Sequence, residues 1–501
     1  MALLNTSFFN PKTRQILFHH HLHQVKPLNS VQFPQFPNTH LSNHLRNPSL
    51  RCFSQKQSQP TQKSLKEEEE DLGKEVEKNE FERLFSNLNQ ATLKHEPGSL
   101  SSSIFLVAGT TWLGGGLITD APFKLKIGAG ILAIPAVTQE SGFLASAVAC
   151  IGCWVATGLL IAEVNVNTMC ELGSGGVSLV SMAKRTVGSV GVQVACWSYI
   201  FIHYALLVAY IARSSDILTN YLGIPLWESA ALFSLAFGGL CYFGSQRFIG
   251  AVNGLLVLGI ITAFTALVVV ASADLHLDAL LKANFEAVPS SIPVIALAYV
   301  YHNVVPVLCT NLEGDLSKVR TAVVVGTAIP LLLFLVWNGV ILGTFTNLDS
   351  DVGKILDPLQ ELRSSNGVVG PIVDTFSIFA IGTSYIGFVL GLADFLADLL
   401  KLPAGQSKPL PYLITLLPPL VLALLDPEIF FKALDFAGTY GVLVLFGILP
   451  AAMSWSDRYL TSPELPKVPQ QVPGGKVTLS LVMGGAAWVI SSEILKTFNH
   501  S

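Results

Sequence analysis

The stretch Ile127-Gly128-Ala129-Gly130-Ile131-Leu132-Ala133-Ile134-Pro135 decides how this chain folds. It stands at the head of a long series of apolar segments. Two glycines around one alanine, with a proline close behind, disfavour a continuous helix. In a helix interior glycine costs about 1 kcal/mol and proline about 3 kcal/mol relative to alanine. A membrane span interrupted here frees main-chain N–H and C=O groups at a depth where lipid offers no partner. Such a break is tolerated only where protein buries it or where it lines a cavity.

The whole chain supports reading that stretch at membrane depth. Its 501 residues are 51% hydrophobic and 13% charged, with a mean hydropathy of +0.53. Soluble proteins carry about 25% charged residues, so the deficit marks an all-α polytopic membrane protein. A hydrocarbon core near 30 Å asks for about 20 apolar residues per helix. Segments of that kind run over 143–166, 192–212, 226–244, 248–271, 289–310, 321–345, 370–396, 410–425, 436–454 and 477–497. With a broken first segment over 104–138 they make eleven spans, of which 410–425, short and holding Pro418-Pro419, is the least regular. Lys184, Arg185, Arg247, Lys318, Arg320, Lys401, Lys408, Arg458, Lys467 and Lys476 fall on one side of the bilayer. Only Arg213, Lys282, Lys354, Arg363 and Lys432 fall on the other. The positive-inside rule therefore puts the N-terminal tail inside.

The formal net charge of −4 says little about partners, because the charges sit in the first hundred residues and the loops. No nucleic-acid partner is expected. Of the seven cysteines, Cys52 lies in the N-terminal region and the others lie in or beside apolar segments, which is not the pattern of a secreted disulfide framework. Cys150-Ile151-Gly152-Cys153 lacks the exposed helix start that redox chemistry requires.

Residues 1–66 contain no Asp or Glu and are rich in Ser, Asn, Gln, Pro and His. That composition fits an organellar transit peptide over 1–53, with processing near Arg51-Cys52-Phe53; few arginines favour a plastid over a mitochondrion. The alternative is a disordered cytosolic tail. Residues 54–99 read as a charged, disordered linker, with Phe81, Leu84, Phe85 and Leu88 spaced for a short amphipathic helix. The membrane domain then occupies 100–501.

A second interruption answers the first. Ala298-Tyr299-Val300-Tyr301-His302-Asn303-Val304-Val305-Pro306 places a polar cluster before a proline inside the sixth span. Two broken spans at corresponding positions in two halves are the mark of inverted-repeat carriers, whose site lies at the breaks. Gly128, Ala129 and Gly130 are then substrate contacts, with amides at the start of the second half-helix suited to a carboxylate. The glycines otherwise serve close helix packing. Carbonyls near Tyr299, Tyr301, His302 and Asn303 suit an ammonium group.

The motifs GAGILAIPAVTQESGF (128–143), GLLIAEVNVNT (158–168) and YHNVVPVL (301–308) resemble the tryptophan/tyrosine permease family of hydroxy/aromatic amino acid permeases. The likeness extends over about residues 100–500, and the leader resembles the plant plastid branch. It implies eleven helices with a leucine-transporter-like five-plus-five inverted repeat, broken in helices one and six. It also implies aromatic amino acids as substrate, a proton as coupling ion, no cofactor, and a chloroplast membrane, the inner envelope first, as location. The chain departs from the family in one place. Where the pattern joins an apolar half-helix directly to the Gly-Ala-Gly turn, Trp112–Lys126 intervene, with Asp120, Pro122, Lys124 and Lys126 among them.

Ionisable residues at membrane depth are functional candidates. His302 is a proton or substrate contact, or else a hydrogen-bonded spacer. His203, beside Tyr199 and Tyr204, is a weaker proton-coupling candidate that also suits a bond between helices. Glu163 is either a coupling carboxylate or a polar helix end. Ser384 and Tyr385 are placed to line an aromatic pocket. A membrane-embedded enzyme is disfavoured, since no H-x-x-x-H or paired-carboxylate arrangement occurs. A non-transporting scaffold or receptor, or an inactive splice form, remains the alternative, and the sequence leaves the oligomeric state open.

Overall fold

The computed structural model describes residues 99–113, 130–152, 155–172, 177–272, 276–281, 283–344, 369–400, 402, 408–460 and 467–500. The proposed leader, the linker up to residue 98, Gly128 and Ala129 lie outside the described residues, as does most of Trp112–Lys126. Every regular element among the described residues is a helix. In chain order these are α1 (Leu100–Leu113), α2 (Gly130–Thr138), α3 (Gly142–Gly152), α4 (Ala156–Leu172), α5 (Leu179–Thr186), α6 (Ser189–Leu222), α7 (Leu226–Phe243) and α8 (Gln246–Ala271). There follow α9 (Val288–Ala298), α10 (Val305–Asn311), α11 (Leu316–Thr344), α12 (Val369–Leu399), α13 (Pro409–Leu425), α14 (Phe430–Phe436), α15 (Leu449–Tyr459) and α16 (Gly475–His500). A π-helical stretch, Ala437–Ile448, joins α14 to α15 in one continuous rod.

Among the described residues nine helical stretches are long and apolar enough to cross a membrane. The shorter Pro409–Leu425 and the two pieces of the first segment, α1 and α2, complete the set expected from the sequence. The helices outrun the hydropathy boundaries because polar residues continue them inside the protein. In α6 the run Arg213-Ser214-Ser215 stays helical and buried, at 6%, 0% and 1% exposure. Arg213 therefore belongs to a helix, reaching Asp216 at 3.5 Å, and not to an outer loop as the charge count had it. Pro135 likewise lies inside α2 rather than at its edge. Cys150, Cys196, Cys241 and Cys309 carry thiols rather than disulfides, while Cys170 is disulfide-bonded.

The two broken spans lie against each other in halves. α2 packs on α9, and α1 packs on α10 and on the turn that precedes it. α1 also runs along α11, where an added Cβ on Gly326 would stand 2.8 Å from the Ile104 carbonyl. Association in lipid has no hydrophobic drive between helices, so small residues that let helices approach carry the packing. Gly438 does this for the π-helical stretch: a Cβ there would meet the Pro293 carbonyl oxygen of α9. Large apolar side chains such as Leu235, Phe243 and Leu255 stay exposed, as lipid-facing residues do.

Candidate functional site

The sixth span breaks where the sequence places the break. α9 ends at Ala298, Tyr299 closes it as C-cap, and His302–Val304 form one 3₁₀ turn before α10. Pro306 sits in the first turn of α10, where a missing N–H costs nothing because that position has no intrahelical acceptor. The Tyr301 and His302 carbonyls accept from Val304 and Val305. The N–H groups of Tyr301, His302 and Asn303 donate no main-chain bond among the described residues. Three donors in a row at the centre of a buried region make an anion- or carbonyl-binding strip. Buried main-chain groups in native proteins are nearly always paired, so an uncommitted strip marks a place for a ligand or water.

Aromatic rings wedge the strip in place. Tyr301, fully buried, stacks on His302 with centroids 4.6 Å apart, and His302 stacks in turn on Phe446 of the π-helical stretch at 4.8 Å. Nε2 of His302 lies 2.7 Å from the Thr157 hydroxyl on α4, while Nδ1 has no partner among the described residues. The Tyr301 hydroxyl reaches the Val155 carbonyl at 3.4 Å. Its ring fills the space beside Gly158, where an added Cβ would clash with the phenol oxygen. Tyr299 faces the other way and meets Phe334 of α11 edge-on at 4.9 Å. Asn303 is half-buried.

The structure places the other candidates in two further groups. His203 packs between α6 and α12, its Nδ1 2.8 Å from the Tyr199 carbonyl and its ring against Tyr199 and Phe388. Ser384 donates back to the Ala380 carbonyl at 3.0 Å, and Tyr385 meets Phe233 and Phe237 of α7. These described partners belong to α6, α7 and α12, not to either broken span. Glu163 is bound on both oxygens by Arg458, at 2.7 and 2.8 Å, in a pair almost wholly removed from solvent. Gly130 opens α2; Gly128 and Ala129 lie just before the described residues.

Thr157, Gly158, Phe334 and Phe446 are the residues that sequence reasoning did not find. Thr157-Gly158 looks like any small pair in a span, and Phe446 is one of 29 phenylalanines, so neither carries a signal without its partner. Arg458 had one: an Asp-Arg pair at the end of an apolar span, counted only as loop charge.

Two interrupted spans packed half against half, inside a bundle of membrane-crossing helices, define an all-helical membrane fold of the leucine-transporter type. Solved structures share that architecture. The Eremococcus coleocola manganese transporter matches with a TM-score of 0.53 at 16% identity, covering 82% of this chain and 92% of that one. MhsT in complex with L-phenylalanine matches with a TM-score of 0.52 at 14% identity, covering 80% and 99%. The chain belongs to the tryptophan/tyrosine permease family, whose model matches residues 99–493. Tyrosine-specific transport system 2 of Haemophilus influenzae is 29% identical over 409 residues, 76% of this chain and 92% of its own length. The tryptophan-specific transport protein of the same organism is 26% identical, covering 74% and 92%. Glutamine transporter 2 of Aliivibrio fischeri is 25% identical, covering 74% and 96%.

Proposed function

We propose that this chain is a secondary active carrier of aromatic amino acids, tyrosine or tryptophan, moved together with a proton by alternating access around the crossing of its two broken spans. The observation that carries the reading is the strip at Tyr301–Asn303, where main-chain donors with no main-chain acceptor among the described residues are held by stacked rings. A zwitterion has a carboxylate and an ammonium group to satisfy, and broken spans offer main-chain groups of both kinds. Gly128, Ala129 and Gly130 serve the carboxylate at the start of α2. The N–H groups of Tyr301, His302 and Asn303 suit the same carboxylate, the Tyr299 and Val300 carbonyls take the ammonium group, and Ser384 and Tyr385 shape the side-chain end.

His302, with an uncommitted Nδ1 beside the break, is the leading proton-coupling residue. Glu163 and His203 follow, the first already engaged by Arg458 and the second stacked between rings. The names of the tyrosine- and tryptophan-specific relatives support an aromatic substrate; the glutamine transporter among them makes specificity a matter of the pocket rather than of the family. The acid-free residues 1–53 support delivery to a plastid, with the inner envelope as membrane, and 54–99 as a linker.

Uptake into proteoliposomes tests the reading. Labelled tyrosine or tryptophan is expected to accumulate when the outside is acidic, and accumulation is expected to fall when the gradient is collapsed. Unlabelled glutamine is expected to compete poorly. Uptake indifferent to the gradient removes the proton, and failure with both aromatic substrates, in the chain with and without 112–126, ends the proposal.

A further inference from the structure

A second polar cluster lies away from the breaks, at the end of the bundle that the loop charges assign to the inner side. It joins four pieces of chain from two regions about 300 positions apart, 163–186 and 456–472. Arg458, on the last turn of α15, holds Glu163 of α4 through two parallel bonds, with side-chain exposures of 5% and 2%. The other oxygen-bound partner of Glu163 is the main-chain N–H of Gln471, at 2.8 Å. One turn along α4, Asn167 donates to Asp457 at 2.6 Å and accepts from the Val468 N–H at 3.0 Å. Asp457 in turn pairs with Arg185 of α5 at 2.6 Å, and Arg185 also reaches Thr168 and Glu171. The Ser456 hydroxyl donates to the Thr186 carbonyl.

This cluster is built as an interlock rather than as surface decoration. α4 carries Thr157, which holds His302, and the rod of α14, π-helix and α15 carries Phe446, which stacks on His302. Both rods run from the break to the cluster, and there they are bolted together by the segment 467–472. Fork-to-fork Arg–carboxylate bonds are directional, so a small rotation of α15 against α4 breaks both at once. Packed elements that move between two discrete arrangements need contacts present in one and absent in the other.

We propose that this network is the inner latch of the carrier: intact, it holds the inner ends of α4, α5 and α15 together with 467–472; broken, it lets them part. Arg458 and Asp457 are thus positioning residues that set the rate of reorientation rather than the affinity for substrate. The inference rests on the transport reading above for its purpose, and on the geometry alone for its existence.

Hydrogen exchange of the full chain in lipid nanodiscs, without substrate, reads the latch directly. E163Q and R458Q are expected to raise exchange over 467–472 by about tenfold or more, while amides in the middle of α12 keep their protection. The charge swap E163R/R458E is expected to restore protection at Val468, whose N–H is held by Asn167, but not at Gln471, whose N–H loses its carboxylate acceptor. If R458Q does not accumulate, R458K, which keeps the charge and loses the fork, takes its place. In proteoliposomes R458Q, or R458K in its place, is expected to change the maximal uptake rate by about fivefold or more, with the half-saturating concentration held within about twofold. Unchanged exchange over 467–472 overturns the latch. So does an equal rise in α12, which would make the cluster a general brace, or a half-saturating concentration that moves with the rate. Absence of uptake in the unsubstituted chain counts against the transport reading alone, because exchange is measured without substrate.

Discussion

Gly158 and Tyr301 meet so closely that neither position tolerates a larger neighbour. A methyl group at 158 would run into the phenol oxygen and ring of Tyr301, and the ring is pinned from behind by His302. Overpacking of this kind costs about 1–3 kcal/mol. G158A is therefore expected to lower the thermal midpoint and to weaken tyrosine or tryptophan binding, read as a reduced ligand-dependent thermal shift. Gly254, with open space around it, supplies the control: G254A is expected to be neutral or slightly stabilising, since alanine is the better helix former. Asp315 tests electrostatics at the same scale. Its carboxylate accepts from the Ser317 and Lys318 N–H groups and pairs with the Lys318 ammonium at 3.2 Å. Partial burial pushes its pKa up, but those bonds and that charge outweigh it and hold the carboxyl below its usual range. A lowered folded pKa means the contribution is fully present above the unfolded value of about 3.9 and is lost as pH falls through the folded one. Melting curves of D315A against the natural chain are expected to differ at pH 7, by about 1 kcal/mol for a lost helix cap, and to converge in acid. D315N, which keeps the cap, is expected to fall between.

At the scale of elements, hydropathy located the spans because lipid imposes one length on them all, and proline located the second break because Pro306 needs a helix start. The π-helical stretch Ala437–Ile448 was not legible, since it satisfies hydropathy as well as an α-helix does. Its wider turn shows only in what it touches, Pro293 through Gly438 and Ile202 through Gly441. At 438 the obstacle is main chain, which has no rotamer to yield, whereas at 447 it is the Ala486 methyl at 3.3 Å. G438A is thus expected to cost about 1–3 kcal/mol or more in chemical or thermal unfolding, and G447A less than about 1 kcal/mol. The opposite order would mean that the two helices are not in the close register described. The ring wedge on His302 is illegible in the sequence for a related reason. Thr157 and Phe446 lie 289 positions apart, and nothing local to either says that one histidine stands between them.

For the whole molecule, class and family were legible, from composition first and from three short motifs second; the pairing of charges was not. Glu163 and Arg458 are separated by 295 positions, so a sequence shows a carboxylate in a span and a cation at a helix end, and gives no reason to join them. The Trp112–Lys126 insertion is the remaining feature at this scale. α1 extends to Leu113 and α2 begins at Gly130, so all of the insertion but Trp112 and Leu113 falls between the two helices. A chain lacking 112–126 is expected to take up tyrosine or tryptophan at least as fast as the full chain, and markedly slower uptake would assign the insertion a part in the working protein. The approach of Gly438 to the Pro293 carbonyl has a last consequence for motion. Two backbones that meet with no side chain between them form a weld, not a bearing. The first half of the sixth span and the middle of the tenth are then expected to move as a single lever, any relative motion being left to the break at 300–304 that separates α9 from α10.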